Sequence, residues 1–298
     1  MKLLLASDDP VHKALGFHVQ ALERVGYPDP FVETSVRRSL EEYCCLPLAD
    51  SSFFFYRCCD RVDLPEFDHP TIQHLALVDP AENIAAELIT GCLQEKLGDV
   101  VIALVESYNQ PVLDLLDQLP SRKTYHCQKK LICRDIDKLC GEGKPPEGIT
   151  IRTFIVGQDE QRYADFYNEV LGYLGSSYID ATFVRNIEAR PSFSPEGYLL
   201  AETRDKCVGF VSIENAPWGR EDSGFAYIFQ IGVAEKWKGS GLASALLQRA
   251  ASFGKEKGSV RIGVGVRDSN TAAINFFEGK GFVIKYDTRG YVIEVVSR

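Results

Sequence analysis

The 298-residue chain has no apolar run approaching the ~20 residues that cross a bilayer as a helix. Its opening, Met1-Lys-Leu-Leu-Leu-Ala-Ser-Asp-Asp, holds too short an apolar stretch for a secretory signal. No membrane association is therefore expected, and the chain reads as soluble and cytoplasmic. A basic excess is also missing: 33 Lys+Arg face 42 Asp+Glu, for a formal charge of −9. Phosphate contacts need clustered Lys and Arg, so nucleic acid is not an expected partner. Histidine is scarce, and all five (His12, His18, His69, His74, His126) precede residue 149. A histidine base acting in the second half would have to reach across from the first. The nine cysteines are an odd number, eight of them before residue 141, with the vicinal pairs Cys44-Cys45 and Cys58-Cys59. These pairs lack the two-residue spacer of zinc knuckles, so no metal is expected and the thiols read as reduced, packed small hydrophobes.

What is present is material for two cores: 45% hydrophobic and 25% charged residues in a length that suits one large domain or two ordinary ones. Residues 140–148, Cys-Gly-Glu-Gly-Lys-Pro-Pro-Glu-Gly, read as a linker, which divides the chain into 1–139 and 149–298. From Ile149 onward there are 18 basic and 18 acidic residues, so the first 148 carry the whole acidic excess. That segregation favours a cationic substrate or partner, although a solvated acidic surface accounts for it as well.

The second half alternates in type. Expected elements are a strand over Ile149–Val156, helices over Gln158–Leu171 and Ile179–Ala189, and a hairpin of Tyr198–Thr203 with Val208–Ile213. Then follow Tyr227–Val233 (strand), Leu242–Glu256 (helix), Val260–Arg267 (strand), Thr271–Glu278 (helix), and strands at Phe282–Tyr286 and Tyr291–Val296. The segment Lys236 to Ala243, K-W-K-G-S-G-L-A, joins a strand to a helix. Its two glycines allow a sharp turn, and the opening helix adds the positive end of its macrodipole, which suits a phosphate-type anion. From the glycines alone, a plain strand-to-helix turn reads the same way.

Two motifs in order change the weight of that loop. Lys236, Gly239 and Gly241 match a Gln/Arg-x-x-Gly-x-Gly/Ala pattern, with Lys at the first position, and Asn270-Thr-Ala-Ala-Ile-Asn-Phe-Phe-Glu-Gly-Lys-Gly281-Phe282 matches Asn-x-x-Ala-x-x-Phe-Tyr-x-x-x-Gly-Phe. On these residues the second half resembles the GCN5-related N-acetyltransferase (GNAT) superfamily, whose element order βααβββαβαββ it shares. The resemblance implies an α/β fold with a mixed sheet and acetyl-CoA as cosubstrate.

The first half repeats part of this order. With Asn109 laid on Asn270, Val100–Glu106 falls on Arg261–Arg267 and Val112–Asp117 on Ala273–Glu278. Upstream, Ile72–Val78 and Ala85–Lys96 fall on the strand and helix flanking the glycine loop, and helical stretches Val11–Val25 and Glu33–Cys45 on the first two helices. Gln73 to Asn109 spans 36 positions against 40 from Gln230 to Asn270, and the loss falls on the phosphate loop, here Val78-Asp79-Pro80-Ala81-Glu82. Pro80 has no N–H to donate, and Asp79 and Glu82 would repel a pyrophosphate. The expectation is two tandem GNAT-like domains of the mycothiol synthase type, the N-terminal one degenerate and without cofactor.

By the same resemblance the cofactor lies along Ile231, Gly232 and Val233, with the Val233 N–H as donor to the thioester oxygen. Lys236, Lys238, Gly239, Ser240, Gly241, Leu242 and Ala243 would surround the pyrophosphate, and Asn270 and Phe277 would flank the cofactor. Asn270 also suits a simple helix N-cap. The acid–base groups are harder to read. Many relatives carry Tyr where Phe277 stands, ribosomal-alanine acetyltransferases carry Glu where Gly265 stands, and histone-type relatives carry Glu where Tyr227 stands. Tyr227 and Glu214 are the leading catalytic candidates, with Glu221, Asp222, Tyr286 and Tyr291 behind them. Tyr227, on an alternating strand, also reads as a core residue, and Glu214, Glu221 and Asp222 also read as solvated loop charges. Tyr173 and Tyr178 are the expected substrate wall. The implied activity is acetyl transfer to a primary amine, on a small molecule or a protein, by a monomer or homodimer. The competing reading is a non-catalytic acetyl-CoA or CoA sensor, favoured by Gly265 and Phe277.

Overall fold

The computed structural model describes residues 43–47, 53–59, 71–78, 100–118, 122–172, 178–190, 192–204, 206–215 and 224–294. In chain order the elements are β1 (Tyr43–Pro47), β2 (Phe53–Cys59), β3 (Thr71–Val78), β4 (Val100–Glu106), α1 (Gln110–Asp117), β5 (Arg122–Cys133), β6 (Thr150–Thr153), α2 (Glu160–Leu171), α3 (Ala181–Glu188), β7 (Tyr198–Glu202), β8 (Cys207–Asn215), β9 (Phe225–Val233), α4 (Leu242–Glu256), β10 (Arg261–Arg267), α5 (Thr271–Gly279) and β11 (Val283–Glu294). Contacts gather into two compact units: Met1–Lys130 with Val266–Thr271 and Ile284–Arg298, and Leu131–Gly265 with Ala272–Val283.

In the first unit β1, β2 and β3 pair antiparallel in turn, and β3 joins β4 in parallel. β4 is buried from Val101 to Glu106, as expected of a central strand with both faces covered. Its other edge pairs antiparallel with β11, from Thr288↔Glu106 to Glu294↔Val100. The turn after β4 is tied to the same strand: Ser107 N–H donates to the Asp287 carbonyl (2.7 Å), and Tyr108 meets Tyr286 edge-on at 5.3 Å. In α1, Val112, Leu113, Leu115 and Leu116 form one buried stripe, with a proline in the first turn where its missing N–H does no harm.

Two expectations are corrected in this unit. The helix expected over Glu33–Cys45 lies mostly outside the described residues, but its end is strand β1. The two strands expected at Phe282–Tyr286 and Tyr291–Val296 are one, because Gly290 continues the ladder opposite Leu104 instead of turning. The helices expected over Val11–Val25 and Ala85–Lys96 lie outside the described residues.

The second unit is built on the antiparallel run β6-β7-β8-β9, with β10 added in parallel to β9. α2 buries Tyr163, Ala164, Phe166, Tyr167 and Val170, a helical spacing that sets one face onto β8. There Phe210 takes the edges of Tyr163 (5.2 Å) and Phe166 (5.6 Å). α4 covers the other face, where Gly209 admits Leu242 and Leu246, and Gly254 admits Ala226 and Ile213.

Charge pins the start of α2. Arg152 on β6 holds Asp159 through Nη1 and Nη2 (2.6 and 2.9 Å) and Glu202 on β7 through Nε and Nη2 (2.8 and 2.9 Å). Burial would raise the Asp159 pKa, but the Arg152 pair and the Ile155 N–H outweigh it and hold the carboxyl below its ordinary value. Residues 140–148, read as a linker, run along α4 inside this unit: Arg249 donates to the carbonyls of Glu142 (3.2 Å), Gly143 (3.1 Å) and Ile151 (2.9 Å).

Candidate functional site

The site begins with one extra residue. β9 pairs with β8 as Ser212↔Gln230 and then Ile213↔Ile228, so Phe229 is a bulge. A bulge bends its strand and sharpens the local twist. Pairing of β9 with β10 runs from Arg261↔Phe225 to Val264↔Ile228 and ends one residue short of the bulge, although β10 continues to Arg267. Beyond it, Ile231, Gly232 and Val233 keep Val211, Phe210 and Gly209 on the β8 edge, and all three are half-buried. Their second edge has no ladder partner on β10, and this gap in the parallel pairing is the wedge of the site. Gly232 is required there by space: a Cβ would lie 2.9 Å from Phe210 Cε1 and 3.0 Å from Val170 Cγ2.

The chain then makes a 3-10 turn, Glu235–Trp237, and the glycine loop. Gly239 (φ +76°) and Gly241 (φ +91°) are left-handed, and a Cβ on either would meet nothing within 4 Å. The backbone here is thus both strained for any side chain and uncovered. Gly241 caps α4; Ala245 N–H returns to its carbonyl (3.0 Å), and Leu242 N–H lies 3.4 Å from Ser240 Oγ. The N–H groups of Ala243 and Ser244 belong to the first turn, which has no intrahelical acceptors. Leu242 itself is buried and anchors the helix start, while Ala243 is half-buried. Ser240 Oγ donates to the Trp237 carbonyl (2.7 Å). Lys236 is exposed with its ammonium 5.9 Å from the Trp237 ring centre, and Lys238 is met by Glu235 at 2.5 Å. An exposed cradle of donors, two glycines without neighbours and a nearby lysine fits a pyrophosphate.

On the α2 side of the sheet a polar cluster stands beside the bulge. Glu214, opposite Tyr227 in the β8–β9 ladder, is 2% exposed, so it is not the solvated loop charge it resembled in sequence. Its Oε1 accepts from the Tyr198 hydroxyl (2.6 Å), and its Oε2 from the Ser192 hydroxyl. Arg190 Nη1 lies 3.9 Å from Oε1. Burial, and then the Glu214 charge, push the Tyr198 phenol well above its ordinary pKa, so it stays a donor. Next to this, the Gln230 amide oxygen receives Ser212 Oγ (2.7 Å) and the Tyr163 hydroxyl (3.1 Å). Burial raises the Tyr163 phenol too. Tyr227 is half-buried, with Phe229 edge-on at 5.2 Å.

The remaining expected residues are scattered. Asn270 immediately precedes α5 and its N–H donates to the Arg267 carbonyl (3.0 Å). Phe277 is fully buried against Phe276 and Phe282, with centroids at 5.2 and 5.0 Å. Tyr178, expected in a substrate wall, is 78% exposed just before α3, and Tyr173, Glu221 and Asp222 lie outside the described residues. Tyr286 and Tyr291 are buried on β11. Arg190, Ser192 and Tyr198 were not singled out from sequence, because only the β8–β9 register and the fold of the segment after α3 bring them to Glu214. Among the described residues no cluster of three or more His, Cys, Asp or Glu could hold a metal, and no helix is long and apolar enough to cross a membrane.

Residues 163–282 match the acetyltransferase (GNAT) family. The mycothiol acetyltransferase of Stackebrandtia nassauensis is 33% identical over 152 residues, 48% of this chain and 47% of that protein. The mycothiol acetyltransferase of Kocuria rhizophila is 27% identical over 141 residues, 46% of each. The chain thus spans about half the length of the curated relatives it matches. Two solved structures share the fold over nearly the whole chain. A GCN5-related N-acetyltransferase from Sphaerobacter thermophilus aligns with TM-score 0.67 and 19% identity, over 97% of this chain and 93% of that one. A tandem GNAT protein from the clavulanic acid biosynthesis pathway aligns with TM-score 0.64 and 13% identity, over 98% and 97%.

Proposed function

From the match of residues 163–282 to the acetyltransferase (GNAT) family, we propose that the protein is an acetyl-CoA-dependent N-acetyltransferase for a primary amine. The observation that carries this is the wedge: β9 pairing with β10 ends at Ile228, and six and eight residues after Val233 the chain presents two left-handed, uncovered glycines at a helix N-terminus. In this reading the backbone of Ile231, Gly232 and Val233 pairs with the pantetheine arm, and the Val233 N–H polarises the acyl oxygen. Lys236 and Lys238, with the N–H groups from Gly239 to Ala243, hold the pyrophosphate, and Ser240 fixes the turn. Leu242 secures the helix behind it. Acetyl-CoA, when bound, supplies the acyl thioester. The family relationship to mycothiol acetyltransferases supports acetyl transfer as the reaction class.

Of the two acid–base candidates, Tyr227 fits better. Both Glu214 oxygens already accept hydroxyl protons, so Glu214 serves as an anchor on the acceptor side of the sheet. Tyr227 sits in register beside it, at the edge of the wedge, where an attacking amine would release its proton. The acceptor's expected cationic character rests on acidic residues that lie mainly outside the described residues. The N-terminal half is proposed to bind no cofactor, which gives one site per chain.

Calorimetric titration with CoA should yield one site per chain, and an amine panel should release CoA thiol from acetyl-CoA. Tyr227→Phe should lower turnover tenfold or more with CoA affinity unchanged, the scale of a lost acid–base group being about 10²–10⁴. Two equivalent CoA sites would refute the one-site reading. The buried, non-ionisable Phe277 favours one alternative, a CoA sensor; CoA binding with no thiol release by any amine would select it.

A further inference from the structure

Arg190 is unused by the cofactor site, yet it is held in place from several sides. Its N–H donates to the Ile187 carbonyl and its own carbonyl accepts from Phe193 N–H, both at 3.0 Å, so the backbone after α3 is fixed on either side of it. The guanidinium carbon stands 6.0 Å from the centre of Phe229, the bulge residue, whose ring touches Tyr227. Its nearest anion, Glu214, lies at 3.9 Å, an ion-pair distance too long for a hydrogen bond. Glu214 is already satisfied by Tyr198 and Ser192. No hydrogen bond joins the Arg190 guanidinium to a described residue, and its side chain is 30% exposed. A planar fork of donors therefore faces the side of the sheet where the amine would enter, pre-oriented by a buried carboxylate and an aromatic ring.

We propose that Arg190 binds an anionic group of the acceptor, and that the acceptor is an amine bearing a carboxylate, of the amino-acid type. The inference rests on the acetyltransferase reading above. Carboxylate is favoured over phosphate because Glu214 already offsets the single guanidinium charge. A monoanion leaves the trio Glu214, Arg190 and ligand at one net negative charge; a phosphate dianion would leave two. Planar bidentate geometry also matches a carboxylate to the guanidinium edge. Arg190 would then orient the amine towards Tyr227 by holding the far end of the same small molecule.

The test uses the whole chain saturated with CoA, titrated calorimetrically with N-acetyl derivatives of glycine, alanine, leucine, lysine and glutamate and with the matching C-terminal amides. At least one acid should bind about tenfold more tightly than its amide, which is ~1.4 kcal/mol. Arg190→Gln should reduce that ratio to near one with CoA affinity unchanged. Arg190→Lys, which keeps the charge and the stem but loses the fork, should restore part of it and guards against a variant that fails to fold. Equal binding of acids and amides, binding of neither, or a preference that survives Arg190→Gln would each overturn the inference. If CoA itself does not bind, it is the acetyltransferase reading that fails.

Discussion

Gly241 and Gly258 sit just before and just after the same helix, α4, and make a matched pair. Their φ angles are +91° and +90°, and a Cβ on either would meet nothing within 4 Å. Replacing each with Ala therefore adds the same strain and no packing change. An L-residue in the left-handed region costs about 1–2 kcal/mol. In a domain of 150–250 residues each kcal/mol shifts Tm by roughly 2–4 °C. Gly241→Ala and Gly258→Ala should thus each lower Tm by about 2–8 °C, and by similar amounts. Binding should separate them. A methyl group on Gly241 projects into the space assigned to the pyrophosphate and disturbs the N–H groups that face it. Losing one charge-assisted hydrogen bond removes about 1.5–3 kcal/mol, or roughly 10- to 150-fold in affinity. Gly258 follows the C-terminal end of α4, so its variant should bind CoA like the parent. Thermal melts without ligand and calorimetric titration with CoA measure the two effects separately. Equal CoA affinity in the two variants would refute the assignment of the loop.

Other outcomes follow from the packing. Gly232→Ala drives a Cβ to 2.9 Å from Phe210 and 3.0 Å from Val170, so overpacking should cost about 1–3 kcal/mol in denaturant titration; adding Val170→Ala should recover part of that loss. Asp159→Asn breaks the Arg152 clamp, whose arginine is partly exposed, and should destabilise the fold at neutral pH by about 1–3 kcal/mol after discounting for solvent. The folded-state pKa of Asp159 is depressed, so its contribution is complete above the ordinary carboxylate pKa and is lost as pH falls through the depressed one. Parent and Asp159→Asn melting curves should therefore converge in acid, and a constant gap down to low pH would refute the linkage.

How much was legible in sequence depended on whether the signal was local. α4 occupies Leu242–Glu256 and β4 Val100–Glu106, as their patterns indicate, because long amphipathic or uniformly apolar runs carry their own period. The glycine loop was legible for a similar reason: two glycines one residue apart have few uses other than positive φ. Glu214 was misjudged because a carboxylate near a strand end looks solvated until its partners are known, and those lie 16 and 22 residues away in sequence. The bulge at Phe229 was invisible, since Tyr227 to Val233 reads as an ordinary apolar strand and only the β8 register reveals the surplus residue. Gly290 misled in the opposite direction: it looks like a turn, and only its pairing with β4 keeps it in a strand.

That pairing also bears on how the chain is made. β4 receives β11 along one edge, and the Ser107–Asp287 link beside it joins residues 180 positions apart. At about 5–20 residues per second of synthesis, β4 leaves the ribosome roughly 9 to 36 s before its partner strand. During that interval a buried, apolar strand has an unfilled edge, the condition under which nascent chains mispair with one another or recruit chaperones. The first unit cannot finish ahead of the second, as successive domains usually do; its last ladder closes only when residues 283–294 have been synthesised.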